Sequence, residues 1–201
     1  LSDRSPMIVQ LSVILLLRDR EPAVAAMVRE AAALGRSVVS GEGRFEVLAL
    51  DEHSGDNTLS LLSVLHGKVP ELRTIQEVRE GTAVAQAART ARGERWLFVD
   101  REVEPELSRW GVRQLAAGQR AALVPGEILA VEARLGAHVL ADLYGGLVSA
   151  QQAVTRELTA RGSRPATRPA PDRGLTERAL LFLRGRLGMV GLGQLDRPRG
   201  T

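Results

Sequence analysis

The sequence predicts an α/β fold in a single domain, with a mostly parallel, Rossmann-like central sheet flanked by helices. Three observations predict it. Residues 7–17 (MIVQLSVILLL) form an apolar, β-branched run without alternation, the pattern of a strand covered on both faces. Up to residue 99 the segments read strand, helix, strand, helix, strand, helix, strand, which calls for parallel strands joined by right-handed crossovers. Polar, turn-prone residues then follow two of the strands, at 51–58 and 100–105, where α/β sheets carry their functional loops.

Each element has its own warrant. After the first strand, Arg18, Asp19, Arg20 and Glu21 make a polar loop, and Pro22 suits the first turn of a helix. Val24, Met27, Val28, Ala31 and Leu34 recur at spacings of three and four, giving an amphipathic helix over 23–34 that Gly35 closes. Residues 45–50 are a short apolar strand ending in Asp51 and Glu52, and Asp56 or Asn57 is placed to cap a helix over 59–65. A third strand is expected over 72–78, diluted by Arg73, Gln76 and Glu77, then an alanine-rich helix over 82–91 that Gly93 ends.

Trp96, Leu97, Phe98 and Val99 form the central strand, delivering Asp100 and Glu102 two residues apart on one side of the chain. Pro105 opens a helix over 106–117. Strands are expected at 121–124 and 128–131 about the turn at Pro125 and Gly126, whereas 139–143 fits either strand or helix. Gly145 and Gly146 precede a helix over 148–160. Residues 161–172 (RGSRPATRPAPD) read as an exposed loop or linker, and 175–187 as a leucine-bearing helix before a glycine-spaced tail.

Composition narrows the function classes. Hydrophobic residues make up 44% and charged residues 25% of 201 residues, enough to bury a core. The formal charge of +3 comes almost wholly from arginine, Lys68 being the only lysine, which points to a GC-rich bacterial genome. Acids interleave with the arginines and aromatics are 3%, so a nucleic-acid surface is not expected. Without cysteine there are no disulfides, thiolate metal sites or cysteine nucleophiles. His53, His66 and His138 are too far apart for a local zinc motif. No signal peptide is visible and no apolar run reaches the ~18 residues of a membrane span, so a cytoplasmic location is expected. The arginines beside the leucines of 175–187 suit contact with the inner face of a membrane or with another protein.

Four pieces in order over residues 11–105 resemble the nucleotide-sugar-binding half of family 2 glycosyltransferases, of the GT-A fold. LSVILLLRDRE (11–21) stands where those enzymes have a strand and a Pro-x-Tyr-Asn-Glu-like loop, and Asp51 to Thr58 (DEHSGDNT) matches an Asp-Asp-x-Ser-x-Asp-x-Thr motif. GTAVAQAARTARGE (81–94) reproduces a segment ending Ala-Arg-Gly-Glu, and Asp100-Arg101-Glu102 takes the place of Asp-x-Asp. The resemblance implies a nucleotide-sugar-binding domain over 1–160, with a nucleotide half at 7–105 and an acceptor half at 106–160, then the loop 161–174 and the C-terminal helix and tail 175–201.

It further implies that the chain binds a nucleotide-diphosphate sugar and transfers the sugar with inversion to an unidentified acceptor. Asp51 or Glu52 would bind the base or ribose. Asp100 would face the ribose or a divalent cation, Mn or Mg, with Glu102 as the second metal ligand. His138 is a candidate third ligand. The chain departs from the pattern at Leu16, Leu17, Arg18 and Asp19, at Ala85 and Ala87, and at Arg101, which either pairs with the neighbouring acids or points to a pyrophosphate. The acceptor base is expected near Ala150, Gln151 and Gln152, which cannot serve, leaving Glu127, Glu132, Asp142 and Glu157. Two alternatives stand beside the enzyme: a catalytically inactive binding or assembly protein of this fold, and a plain doubly wound binding domain.

Overall fold

The computed structural model describes residues 9–39 and 43–171. All but Pro171 of these belong to a compact unit spanning Leu1–Ala170. The helix expected over 175–187, the tail after it and the first two residues of the expected opening strand lie outside the described residues.

In chain order the elements are β1 (Val9–Leu17), α1 (Val24–Val38), β2 (Arg44–Asp51), α2 (Thr58–His66), β3 (Leu72–Ile75), α3 (Ala83–Thr90), β4 (Arg95–Val99), α4 (Pro105–Ala116), β5 (Ala121–Val124), β6 (Ile128–Glu132), α5 (Ala133–Leu140), α6 (Leu147–Ala160) and β7 (Ala166–Thr167). The strands form one seven-stranded sheet in the order β3-β2-β1-β4-β6-β5-β7. Every neighbouring pair is parallel except the two made by β6. The sheet is therefore mostly parallel, as expected.

The unbroken apolar run of β1 has its reason in this architecture. Leu11, Val13, Leu15 and Leu17 pack with α1, α2 and α4 on one face, and Ile14 and Leu16 pack with α3, α5 and α6 on the other. A strand buried on both faces has no position left for alternation.

At the amino end of the sheet, buried Glu46 accepts hydrogen bonds from Ser12 Oγ (2.6 Å) and the Arg92 amide (2.7 Å) and pairs with Arg73. Ser12 Oγ in turn accepts the Gly93 amide at 2.9 Å. The Arg-Gly of the α3–β4 connection is thereby tied to β1 and β2, and only glycine fits: a Cβ at Gly93 would lie 2.5 Å from the Ser12 nitrogen.

The boundaries differ from expectation at four places. Gly35 does not end α1, which runs on to Val38; it leaves room for the Phe45 ring, which would stand 2.1 Å from a Cβ there. β3 stops at Ile75, because Glu77 turns to φ 55° and the Val78 amide bonds to the Asp51 carbonyl. Of the ambiguous 139–143, Val139 and Leu140 close helix α5, which begins at Ala133, and the remaining three residues follow it outside any helix or strand. Within the Pro- and Arg-rich stretch, Ala166 and Thr167 pair with Ala122 and Leu123 as an edge strand.

Candidate functional site

β1, β2 and β4 lie side by side, and β1 is the topological switch point: the chain turns to β2 on one side and β4 on the other. Crevices at the carboxyl ends of strands about such a point are where open α/β sheets bind ligands. Asp51 ends β2 opposite Leu17 of β1, and Asp100 follows the last residue of β4. The two acids thus flank β1 at one end of the sheet.

Asp51 is fully buried, and its carboxylate accepts the Ser54 amide (3.1 Å) and hydroxyl. Glu52 accepts the Ala83 amide at 3.1 Å, which satisfies an otherwise free N–H in the first turn of α3. The two loops at β1 and β2 are laced together. Asp19 accepts the Gly55 amide (2.8 Å), Asp56 accepts the Glu21 amide (2.9 Å), Glu21 accepts Asn57 Nδ2 (2.9 Å), and the Arg20 amide donates to Thr58 Oγ1 (2.9 Å).

Burial acts to raise the pKa of Asp56, but the Thr58 hydroxyl and the Glu21 and Thr58 amides outweigh it and hold the carboxyl below its ordinary value. The non-glycine residues of positive φ among the described residues are Asp19, His53 and Glu77, one after each of β1, β2 and β3. Backbone held in that region costs energy and clusters at ligand sites.

Two arginines stand on this rim. Arg18, just past β1, pairs with Glu80 before α3. That contact raises the pKa of its guanidinium, with smaller contributions from Asp19 and Glu52. Arg101 folds back on its neighbour: Nε donates to Asp100 Oδ1 at 2.7 Å and Nη2 to Oδ2 at 3.3 Å. This bond to Asp100 raises the Arg101 pKa despite burial, and the charge of Glu127 adds to it.

Glu102 stands two residues past Asp100, further along the bend. β4 ends at Val99 and the chain bends through Asp100 and Arg101, so the strand alternation that would put both acids on one side stops before it reaches them. Glu102 is exposed and, together with Arg101, lines a cavity of about 260 Å³ between α1 and α4, floored by Val13, Leu15, Met27 and Val99.

The residues as arranged do not fit a divalent cation. Both oxygens of Asp100 accept from one guanidinium, with which a cation would compete, and no group of three His, Asp or Glu that could hold a metal occurs among the described residues. His138 sits on α5 with its Nε2 3.6 Å from Glu157.

Of the acids left as acceptor bases, Glu132 stands opposite Arg95, at the far end of the sheet. Asp142 pairs with Arg89 and Glu157 with Arg161. Glu127 is buried in the β5–β6 turn, and its charge reaches Arg101. Gln151 has a role that its sequence position concealed. Its amide donates to the Val124 (2.9 Å) and Ile128 (2.8 Å) carbonyls and its oxygen accepts the Gly126 amide (3.0 Å), clamping that turn. No helix among the described residues is long and apolar enough to cross a membrane.

No sequence-family profile matches the chain. No curated protein matches it in sequence. Solved structures do. A mannosyltransferase from Pyrobaculum calidifontis, in complex with GDP-Man and Mn2+, superposes with a TM-score of 0.62 at 18% identity, over 96% of this chain and 68% of its own. Mannosyl-3-phosphoglycerate synthase from Rubrobacter xylanophilus gives 0.56 at 14% identity, over 94% and 79%. Glucosyl-3-phosphoglycerate synthase from Mycobacterium tuberculosis, in complex with Mn2+, UDP and glucosyl-3-phosphoglycerate, gives 0.53 at 16% identity, over 92% and 82%. The fold of this chain is the GT-A fold of these nucleotide-sugar glycosyltransferases.

Proposed function

We propose that this chain binds a nucleotide-diphosphate sugar in the crevice at the carboxyl ends of β1, β2 and β4 and transfers the sugar, with inversion, to an acceptor. The observation that carries this reading is the placement of Asp51, Glu52 and Asp100 about the switch point, in a fold whose solved examples include complexes with GDP-Man and with UDP. Asp51 and Glu52 are the candidates for base and ribose. Asp100 stands where the diphosphate would pass. Asp100 and Glu102 would be the ligands of a bridging cation, for which the present arrangement does not favour them.

A second reading is a binding protein of this fold that does not turn over. It is favoured by Gln151, which occupies the region expected to supply the acceptor base and is committed to clamping the β5–β6 turn.

Calorimetric titration of the full chain with UDP, GDP, ADP, CDP and dTDP, in EDTA and in Mn2+, tests the donor site. Saturable one-to-one binding of at least one of them is expected. No binding of any, in either condition, would sink the proposal. Release of free sugar from the matching sugar nucleotide then separates enzyme from binder.

A further inference from the structure

We infer that the diphosphate is neutralised in this site by the Arg101 guanidinium rather than by a divalent cation, Asp100 serving to hold that guanidinium ready. The inference rests on the donor-binding reading above and names the group that meets the phosphates.

The loops about the crevice carry acids. Glu52, Glu80 and Asp100 stand on them and Asp51 is buried beneath, so a diphosphate needs a cation to offset their charge. A metal ion would have to bind an oxygen of Asp100 beside a guanidinium that both oxygens already accept from, against the repulsion of its charge. It would also need further ligands, and no group of three His, Asp or Glu that could hold it occurs among the described residues.

Arg101 follows directly on Asp100 at the carboxyl end of β4 and also lines the α1–α4 cavity. Its side chain is 32% exposed, so a ligand can reach it. The planar fork that grips a carboxylate at two points grips a phosphate in the same way, so exchange of Asp100 for phosphate preserves the geometry of the bond. Arg18, just past β1, pairs with Glu80 through one nitrogen and is a second guanidinium on these loops. In this scheme Asp100 is a positioning residue that competes with the ligand for Arg101.

The competition gives the test its sign. In calorimetry of UDP and GDP with the full chain, binding is expected in EDTA without measurable gain from Mn2+. Arg101→Ala is expected to weaken it about tenfold or more, the loss of a charged bidentate contact. Arg101→Lys, which keeps the charge and loses the fork, falls between. Asp100→Asn is expected to tighten binding, because the competitor is weakened. A metal ligand at Asp100 predicts the opposite.

Binding that appears only with Mn2+ and vanishes in Asp100→Asn overturns the inference and leaves the donor site standing. Metal-independent binding that Arg101→Ala does not weaken overturns it too. Failure of every nucleotide in both conditions overturns the donor reading itself. Thermal unfolding of each variant guards against a folding defect. If Arg101→Ala does not fold, the EDTA comparison and the sign of Asp100→Asn still decide.

Discussion

Asp56 joins two loops through three hydrogen bonds, from the Glu21 amide, the Thr58 amide and the Thr58 hydroxyl. All three favour its charged form, and its pKa is lowered in the folded chain. Between the lowered and the ordinary value, the unfolded chain binds the proton that the folded chain refuses, so stability rises with pH across that window. The contribution is complete above the ordinary aspartate value of 3.8 and is lost as pH falls through the lowered one. Asp56→Asn is therefore expected to lower the urea midpoint at pH 7, with a gap to the parent that closes in strongly acidic solution. A gap unchanged down to pH about 2 would assign the loss to something other than the carboxylate. At this scale the sequence was informative about type and not about partner. Asp51 and Asp100 were readable as acids closing apolar strands. That Glu52 would bond to the first turn of α3, or Gln151 clamp a turn, depends on contacts between segments tens of residues apart.

Glycines decide how elements meet here, and they explain most of what the sequence misled about. Gly35 and Gly136 both lie inside helices, where glycine is a poor helix former and reads as a stop. Gly35 accepts the Phe45 ring, and Gly136 faces the Trp96 ring, 2.6 Å from where a Cβ would sit. Close packing of an aromatic ring from a neighbouring strand outweighed helix propensity at both, so α1 runs on past Gly35 and α5 continues through Gly136. Gly93 is the strictest case, because its would-be Cβ meets backbone rather than a movable side chain. Gly93→Ala is expected to destabilise the fold by about 3 kcal/mol in urea unfolding, as an overpacked core site does. Gly67→Ala, at a helix-compatible φ of −70° with its nearest contact 3.8 Å away, is expected to change stability by less than about 0.5 kcal/mol.

For the molecule as a whole, the sheet order sets where stability resides. β1, β2 and β4 are paired on both sides, and Ile14, Leu48, Leu50 and Phe98 on them are fully buried. Their amides are expected to exchange with deuterium last, and those of β3 and β7, at the two edges, first. Hydrogen exchange read by mass spectrometry checks this order, and fast exchange in β1 would contradict it. The parallel order was legible because strands buried on both faces have a distinct composition. β7 was not, since two residues among prolines carry no period. That short strand has a colloidal consequence. Ala121 to Val124 of β5 are wholly buried and apolar, and Ala166 and Thr167 lie along their outer edge. Two residues thus cover an edge that would otherwise offer its backbone to a second chain, and loss of that pairing is expected to favour aggregation on storage.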